Sequence, residues 1–398
     1  LLTSVLTRWG RLRPGRAGWL GVLAAGLMAG PALAQVPPAP ARPVASVAAP
    51  AAQARAASAV PAAPATTASA HAPSSAPAPA ARAASTPTQA MKPTPVFVLN
   101  SLDGNVSVID PTTWKEIKRI PTGKEPHHLY LTPDEKSVIV ANAASDSLTF
   151  IDPRTAEVQR TVRGILDPYH LRFSPDMKWF LTNGNRLNHV DVYRWDGSNL
   201  QLAKRIATGK TPSHLWIDSK STIAYSSMQD SDELVVIDLA TQTILHRIKV
   251  GSLPADIYVT PDDRTLFLGL TGGEGVEVYD VSGVRTGQAP RFLKLLPTGK
   301  GAHAFRPMGD GEHIFVSNRV ANTISRIDTR TQSVDFTMPT SAGPDCMDLS
   351  ADGKTLLVSS RWARKLTLID LATRKIVREI PVGASPHGVW TLDHAPRR

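Results

Sequence analysis

Imidazoles, one thiol and two carboxylates recur along this chain at nearly fixed intervals. They stand in a mark that reads Pro-x-His or a close variant: Pro126-His127-His128, Pro168-Tyr169-His170, Pro212-Ser213-His214, Pro254-Ala255-Asp256, Ala302-His303-Ala304, Pro344-Asp345-Cys346 and Pro386-His387-Gly388. Imidazole, carboxylate and thiolate together suit zinc, copper or iron. The candidate metal ligands are therefore His127, His128, His170, His214, His303, His387 and Cys346, with Tyr169, Asp256 and Asp345 as further ligand contacts. A metal needs its donors within about 2 Å of one point, so only a subset from adjacent repeats, such as His127 with His170 and His387, is expected to converge. Seven of the 11 histidines, His189 included, fall in the segments expected to flank this site.

The spacing says what must position these groups. The marks are 42, 44, 42, 48, 42 and 42 residues apart, and a fixed period in this range signals a repeat architecture. One unit, from His128 to Val162, holds four short alternating or β-branched runs separated by turn chemistry such as Pro133-Asp134. An Asp that ends the third run recurs with a Thr three residues on, at Asp110–Thr113, Asp152–Thr155, Asp238–Thr241, Asp328–Thr331 and Asp370–Thr373. Its carboxylate can accept the N–H groups of the following turn. In the second unit Arg194 takes that position, so that unit is irregular. Four antiparallel strands per repeat and seven marks predict an all-β, seven-bladed propeller. The C-terminal Gly388–Leu392 supplies one strand, and Val96–Asn100, Asn105–Asp110 and Trp114–Ile120 supply three, which together complete a last blade and leave no open edge.

Strands of the form Phe97-Val98-Leu99-Asn100, Phe180-Leu181-Thr182-Asn183 and Phe315-Val316-Ser317-Asn318, with turns such as Ser174-Pro175-Asp176 and Ala351-Asp352-Gly353, resemble those of the YVTN-type β-propeller repeat proteins. The resemblance covers about residues 94–392. It implies the fold but spans several functions, among them surface-layer proteins, quinoprotein dehydrogenase subunits, haem-binding reductase domains and lactonases. In such a ring the mark and the loop after the second strand share one face. The second loop set adds Asn100, Asn142, Asn183, Arg186, Met228, Asp230, Asn318, Arg319, Arg361, Trp362 and Arg364 to an open, His-lined mouth. Arg186, Arg319, Arg361 and Arg364 with Trp362 are expected to form a basic, aromatic sector for an anion or an acidic partner. The extra residues of the 48-residue unit, between Asp280 and Lys294, fall on the opposite face. In WD-repeat propellers a His at this place can bond a turn Asp, which accounts for single histidines but not for His127-His128. The haem-binding propeller of cytochrome-type nitrite reductases offers a second parallel, in which mouth His and Arg hold the cofactor.

Arg8, Arg11, Arg13 and Arg16, the apolar stretch Ala17–Ala29 and Ala32-Leu33-Ala34 read as an export signal over 1–34, placing the protein in the periplasm with no membrane span once Gln35 becomes the N-terminus. Residues 35–93, rich in Ala, Pro, Ser and Thr, have too little apolar surface to order and read as a disordered spacer. The propeller is expected over 94–398, as a monomer. The chain carries +10, but eight of its 44 basic residues and none of its 34 acidic ones precede Thr94, leaving a body of net +2. That gives no footing for a nucleic-acid-binding body. Cys346 is the sole cysteine, so no internal disulfide can form. Cys-x-x-Cys-His and Gly-x-Ser-x-Gly are missing, and neither loop set contains Glu. The sequence therefore points to an exported propeller that binds a small ligand or a periplasmic protein without catalysis. The alternative is a redox enzyme or accessory protein using a transition-metal ion, or else haem, at the same histidines.

Overall fold

The computed structural model describes residues 93–397. The expected leader lies outside them, as does nearly all of the expected spacer. The described residues form seven four-stranded antiparallel sheets. The blades begin at the inner strands Pro126–Leu131, Pro168–Phe173, Pro212–Ile217, Pro254–Val259, Ala302–Pro307, Pro344–Leu349 and Pro386–Thr391. The last blade runs Pro386–Thr391, Val96–Asn100, Asn105–Asp110, Lys115–Pro121, the one-plus-three closure expected from the sequence. Thr94 secures the junction by donating its N–H and hydroxyl to Asp393 Oδ2 at 2.7 and 2.8 Å.

The third strands end as their Asp residues dictate. Asp110, Asp152, Asp238, Asp328 and Asp370 each accept a backbone N–H from the turn that follows. In the irregular second blade the third strand extends to Trp195, and Asp196 takes over this role for Ser198 and Asn199.

Seven apolar clusters hold the ring, one between each pair of neighbouring blades. Ile139, Leu148 and Phe150 of the first blade meet Leu171, Phe173 and Phe180 of the second. Val96, Val98 and Val389 of the last blade meet Leu357, Leu366 and Leu368 of the sixth. Second and third strands are largely buried on both faces, whereas fourth strands are largely open to solvent, some alternating as Lys115–Pro121 does and others exposed along most of their length as Lys375–Pro381 is. Burial of this kind is worth about 25 cal/mol per Å² of apolar surface.

Candidate functional site

Each mark lies at the start of an inner strand rather than in the preceding loop, and in all seven blades the pairing with the second strand slips there. A bulge re-aims side chains, and here it lets the second and third residues of the strand both serve the channel. Neighbouring blades fix the bulges. Ser227 donates to the Ala255 carbonyl at 2.6 Å, Ser101 to that of Pro126 at 2.8 Å, and Ser359 to that of His387. Gly388 has no Cβ, and one there would stand 3.2 Å from the His127 carbonyl oxygen, which is how that oxygen comes close enough to accept from His387 Nδ1 at 2.8 Å.

The histidines converge more tightly than the repeat alone required. His128 packs against His170, His214 and His387 with ring centroids 4.5, 4.8 and 4.6 Å apart. His127 stacks on His387 at 3.6 Å and on Tyr169 at 3.9 Å, and His303 meets His214 at 5.2 Å. Three donor groups have their ligand atoms within 4.8 Å of one another: His127, His128 and His387; His128, His170 and His214; and His303, Asp345 and His387. The expected trio of His127, His170 and His387 is not one of them; His128 belongs to the first two groups and His387 to the first and third. Cys346 joins none of the three; its Sγ lies 3.6 Å from His387 Nδ1.

This is not the open mouth read from the sequence. All six histidines are at most 8% exposed. Burial disfavours the imidazolium and pushes His128 down to about 3, His303 to about 4 and the other four well below their ordinary value. The cluster is therefore neutral at physiological pH. Four ring nitrogens, His127 Nδ1, His128 Nε2, His170 Nδ1 and His214 Nε2, are buried without a hydrogen-bond partner, whereas His303 Nδ1 and His387 Nε2 face the Asp345 carboxylate. One tautomer is settled locally, because His387 Nδ1 must donate to the His127 carbonyl, whereas His214 Nδ1 lies 2.8 Å from Ser213 Oγ, a hydroxyl that can give or take the proton.

Asp345 anchors the other side of the cluster. It accepts from Arg319 at 2.8 Å and Arg361 at 3.1 Å, with His303 Nδ1 at 3.0 Å and His387 Nε2 at 3.3 Å. Burial alone would raise its carboxyl; Arg319, His387 and His303 reverse this and hold it well below the usual carboxylate range. Burial, with Asp345 and Asp256 nearby, pushes the Cys346 thiol well up, so it stays protonated.

The expected basic, aromatic sector does not assemble. Arg319 and Arg361 turn inward onto Asp345, whereas Arg186 pairs with Asp167 and Glu125 at 2.8 Å each. Trp362 stands exposed over Gly343. Asn100, Asn142 and Asn318 are fully buried ties to Ser and Thr hydroxyls of the third strand, and Met228 is core. His189 opens a third strand beside Asp191, away from the cluster.

Asp256 departs from the expectation of a shared mouth. It lines a cavity at the end of the ring where the first-to-second-strand turns lie, together with Arg172, Trp216 and Tyr130. Those three were not singled out from the sequence. They stand at the fifth residue of their inner strands, two beyond the mark, and the alternation of a strand places third and fifth residues on one face.

Comparison with known families matches residues 23–397 to the YNCE-like beta-propeller. The chain belongs to this family. No curated protein matches it. Among solved structures it is similar to a functionally unknown protein from Desulfotomaculum acetoxidans (14% identity, TM-score 0.65, 76% of this chain and 99% of that one). It is also similar to the periplasmic gluconolactonase PpgL of Pseudomonas aeruginosa (17%, 0.63, 77% and 99%) and to the dihydro-heme d1 dehydrogenase NirN (18%, 0.57, 78% and 77%). At these identities the likeness is one of fold. The YNCE-like chain thus combines a seven-bladed ring with buried His and Asp clusters able to coordinate a ligand or metal. No helix among the described residues is long and apolar enough to cross a membrane.

Proposed function

We propose that this YNCE-like propeller is a transition-metal protein, acting as an enzyme or as a redox accessory, with its ion held by His128, His170 and His214. The observation that carries this reading is the set of buried, neutral imidazoles, each with a donor atom within 4.8 Å of those of the other two and each with one unpartnered ring nitrogen. An unsatisfied buried donor or acceptor costs about 1–3 kcal/mol, and a cation removes that cost for three lone pairs at once. The His128 group is preferred over the Asp345 group because Arg319 and Arg361 already balance Asp345. Three imidazoles leave a fourth position open for a substrate. Packed rings offer donor atoms to an ion more readily than a slot to a haem. The gluconolactonase and the dehydrogenase among the similar folds favour a catalytic role over mere ligand capture.

The same reading assigns residues 1–34 to a cleaved leader, 35–93 to a spacer and the YVTN-type propeller to the periplasm. The leader pattern supports this, as does the periplasmic location named for PpgL. Elemental analysis of protein purified from its exporting host is the test. About one equivalent of a transition metal is expected, lost in His128→Ala and kept in His246→Ala, whose histidine lies in the fourth strand Thr243–Lys249. Metal-free protein that takes up no zinc or copper on dialysis would sink the proposal.

A further inference from the structure

The cavity at the opposite end of the ring has a volume of about 400 Å³, in the range that holds a small molecule. Four charged side chains line it: Arg172, Asp256, Asp263 and Arg397. Two of them are already matched. Asp263 binds Arg285, from the insertion of the fourth blade, at 2.5 Å, and Arg397 binds Asp348 at 2.9 Å. Arg172 is different. Its guanidinium lies 3.9 Å from the Trp216 ring centroid and 5.8 Å from that of Tyr130, so its faces are covered by aromatic rings. Its Nε is buried without a hydrogen-bond partner, and no carboxylate among the described residues lies within ion-pair distance.

Asp256 complements it. Each carboxylate oxygen accepts one backbone N–H, from Ile257 and from Phe305, both at 2.9 Å. Each oxygen therefore keeps a lone pair for a further donor. The cation and the carboxylate share one cavity without touching, which leaves room for a molecule that carries the complementary pair of groups.

We infer that this cavity is a second binding site, distinct from the histidine cluster, for a small organic carboxylate with a flat or apolar body and a hydroxyl or ammonium donor. The ligand's carboxylate meets the edge of Arg172, where a guanidinium offers a planar fork of donors. Its donor meets Asp256, and its body lies against Trp216 and Tyr130. The geometry selects against ligands that lack either group, because the group left facing them would remain unpaired.

Titration calorimetry of the whole protein with three probes tests this. Phenyllactate carries both groups, phenylpropionate lacks the hydroxyl, and phenylethanol lacks the carboxylate. Phenyllactate is expected to bind at one site, phenylpropionate several-fold more weakly, and phenylethanol not measurably. In Arg172→Gln the dissociation constant for phenyllactate should rise at least about tenfold, as loss of a charge-assisted pair requires. The probe series on the unaltered protein keeps the test decisive even where that variant fails to fold. Absence of binding at millimolar phenyllactate, equal binding of phenylethanol, or an unchanged constant in a folded Arg172→Gln overturns the site. Equal affinity for phenylpropionate overturns the Asp256 contact.

Discussion

At the scale of single residues, the informative copies of the mark are those in which the repeat is broken. Asp345 stands where the other blades place His, Tyr, Ser or Ala, and it gathers Arg319 and Arg361 onto one buried carboxylate. Asp345→Asn would leave two guanidinium groups without a counter-charge, and a loss of about 3 kcal/mol in unfolding free energy is expected from denaturant titration. A loss under about 0.5 kcal/mol, the range of ordinary surface changes, would show that the pairs contribute nothing net. Cys346 follows the same logic. It is half-buried against the cluster of Val389 and Leu357, and its surroundings keep the thiol protonated. Since the thiolate is the reactive form, labelling by iodoacetamide at neutral pH should be far slower in the folded protein than after denaturation, with mass spectrometry as the readout. Equal rates would place the sulfur in the open.

At the scale of elements, the bulged start of the inner strand decides what the sequence could disclose. The period and the turn Asp residues are local signals, so seven blades and their boundaries could be read directly. Depth could not. A regular strand would send His127 and His128 to opposite faces, and only the bulge, held by hydrogen bonds such as that from Ser101 to the Pro126 carbonyl, brings both to the channel. The same step hid Arg172 and Trp216, whose place depends on strand alternation beyond the mark. The fifth position also holds Arg306 and Asp348, fully buried and 2.9 Å apart, with Arg306 donating to the Ala395 carbonyl at 2.7 Å. Burial would raise the Asp348 carboxyl, but Arg397 and Arg306 lower it below its ordinary 3.8. The unfolded chain then binds the proton more readily than the folded one. Asp348 contributes its full stability above that ordinary value and loses it as pH falls through the lower, folded value. Thermal midpoints measured between roughly pH 5 and pH 2 should fall less steeply in Asp348→Asn than in the unaltered protein; parallel slopes would refute the coupling. Arg306→Met should separately cost about 3–5 kcal/mol, because it leaves Asp348 buried with the exposed Arg397 as its one remaining counter-charge.

At the scale of the whole molecule, the ring depends on one strand that arrives last in the chain. Pro386–Thr391 pairs with Val96–Asn100, fills the last blade and carries His387, so a single element serves closure and the histidine cluster together. Its removal would bare the edge of Val96–Asn100, every residue of which is buried, and strip Trp390 from the cluster formed with Phe97, Leu99 and Val138. An apolar strand with unpaired N–H and C=O groups is a template for association with other chains. A chain ending at Ser385 is therefore expected to elute as oligomers or aggregate and to lose its cooperative thermal transition, whereas Asp393→Ala, which removes only the bonds to Thr94, should cost about 1 kcal/mol. Adding a synthetic peptide spanning residues 384–398 should restore monomers if the strand acts through its edge. Size-exclusion chromatography with circular dichroism distinguishes the outcomes. A monomeric truncated chain with an unchanged midpoint would mean that the inter-blade clusters to which this strand contributes nothing suffice to hold the ring.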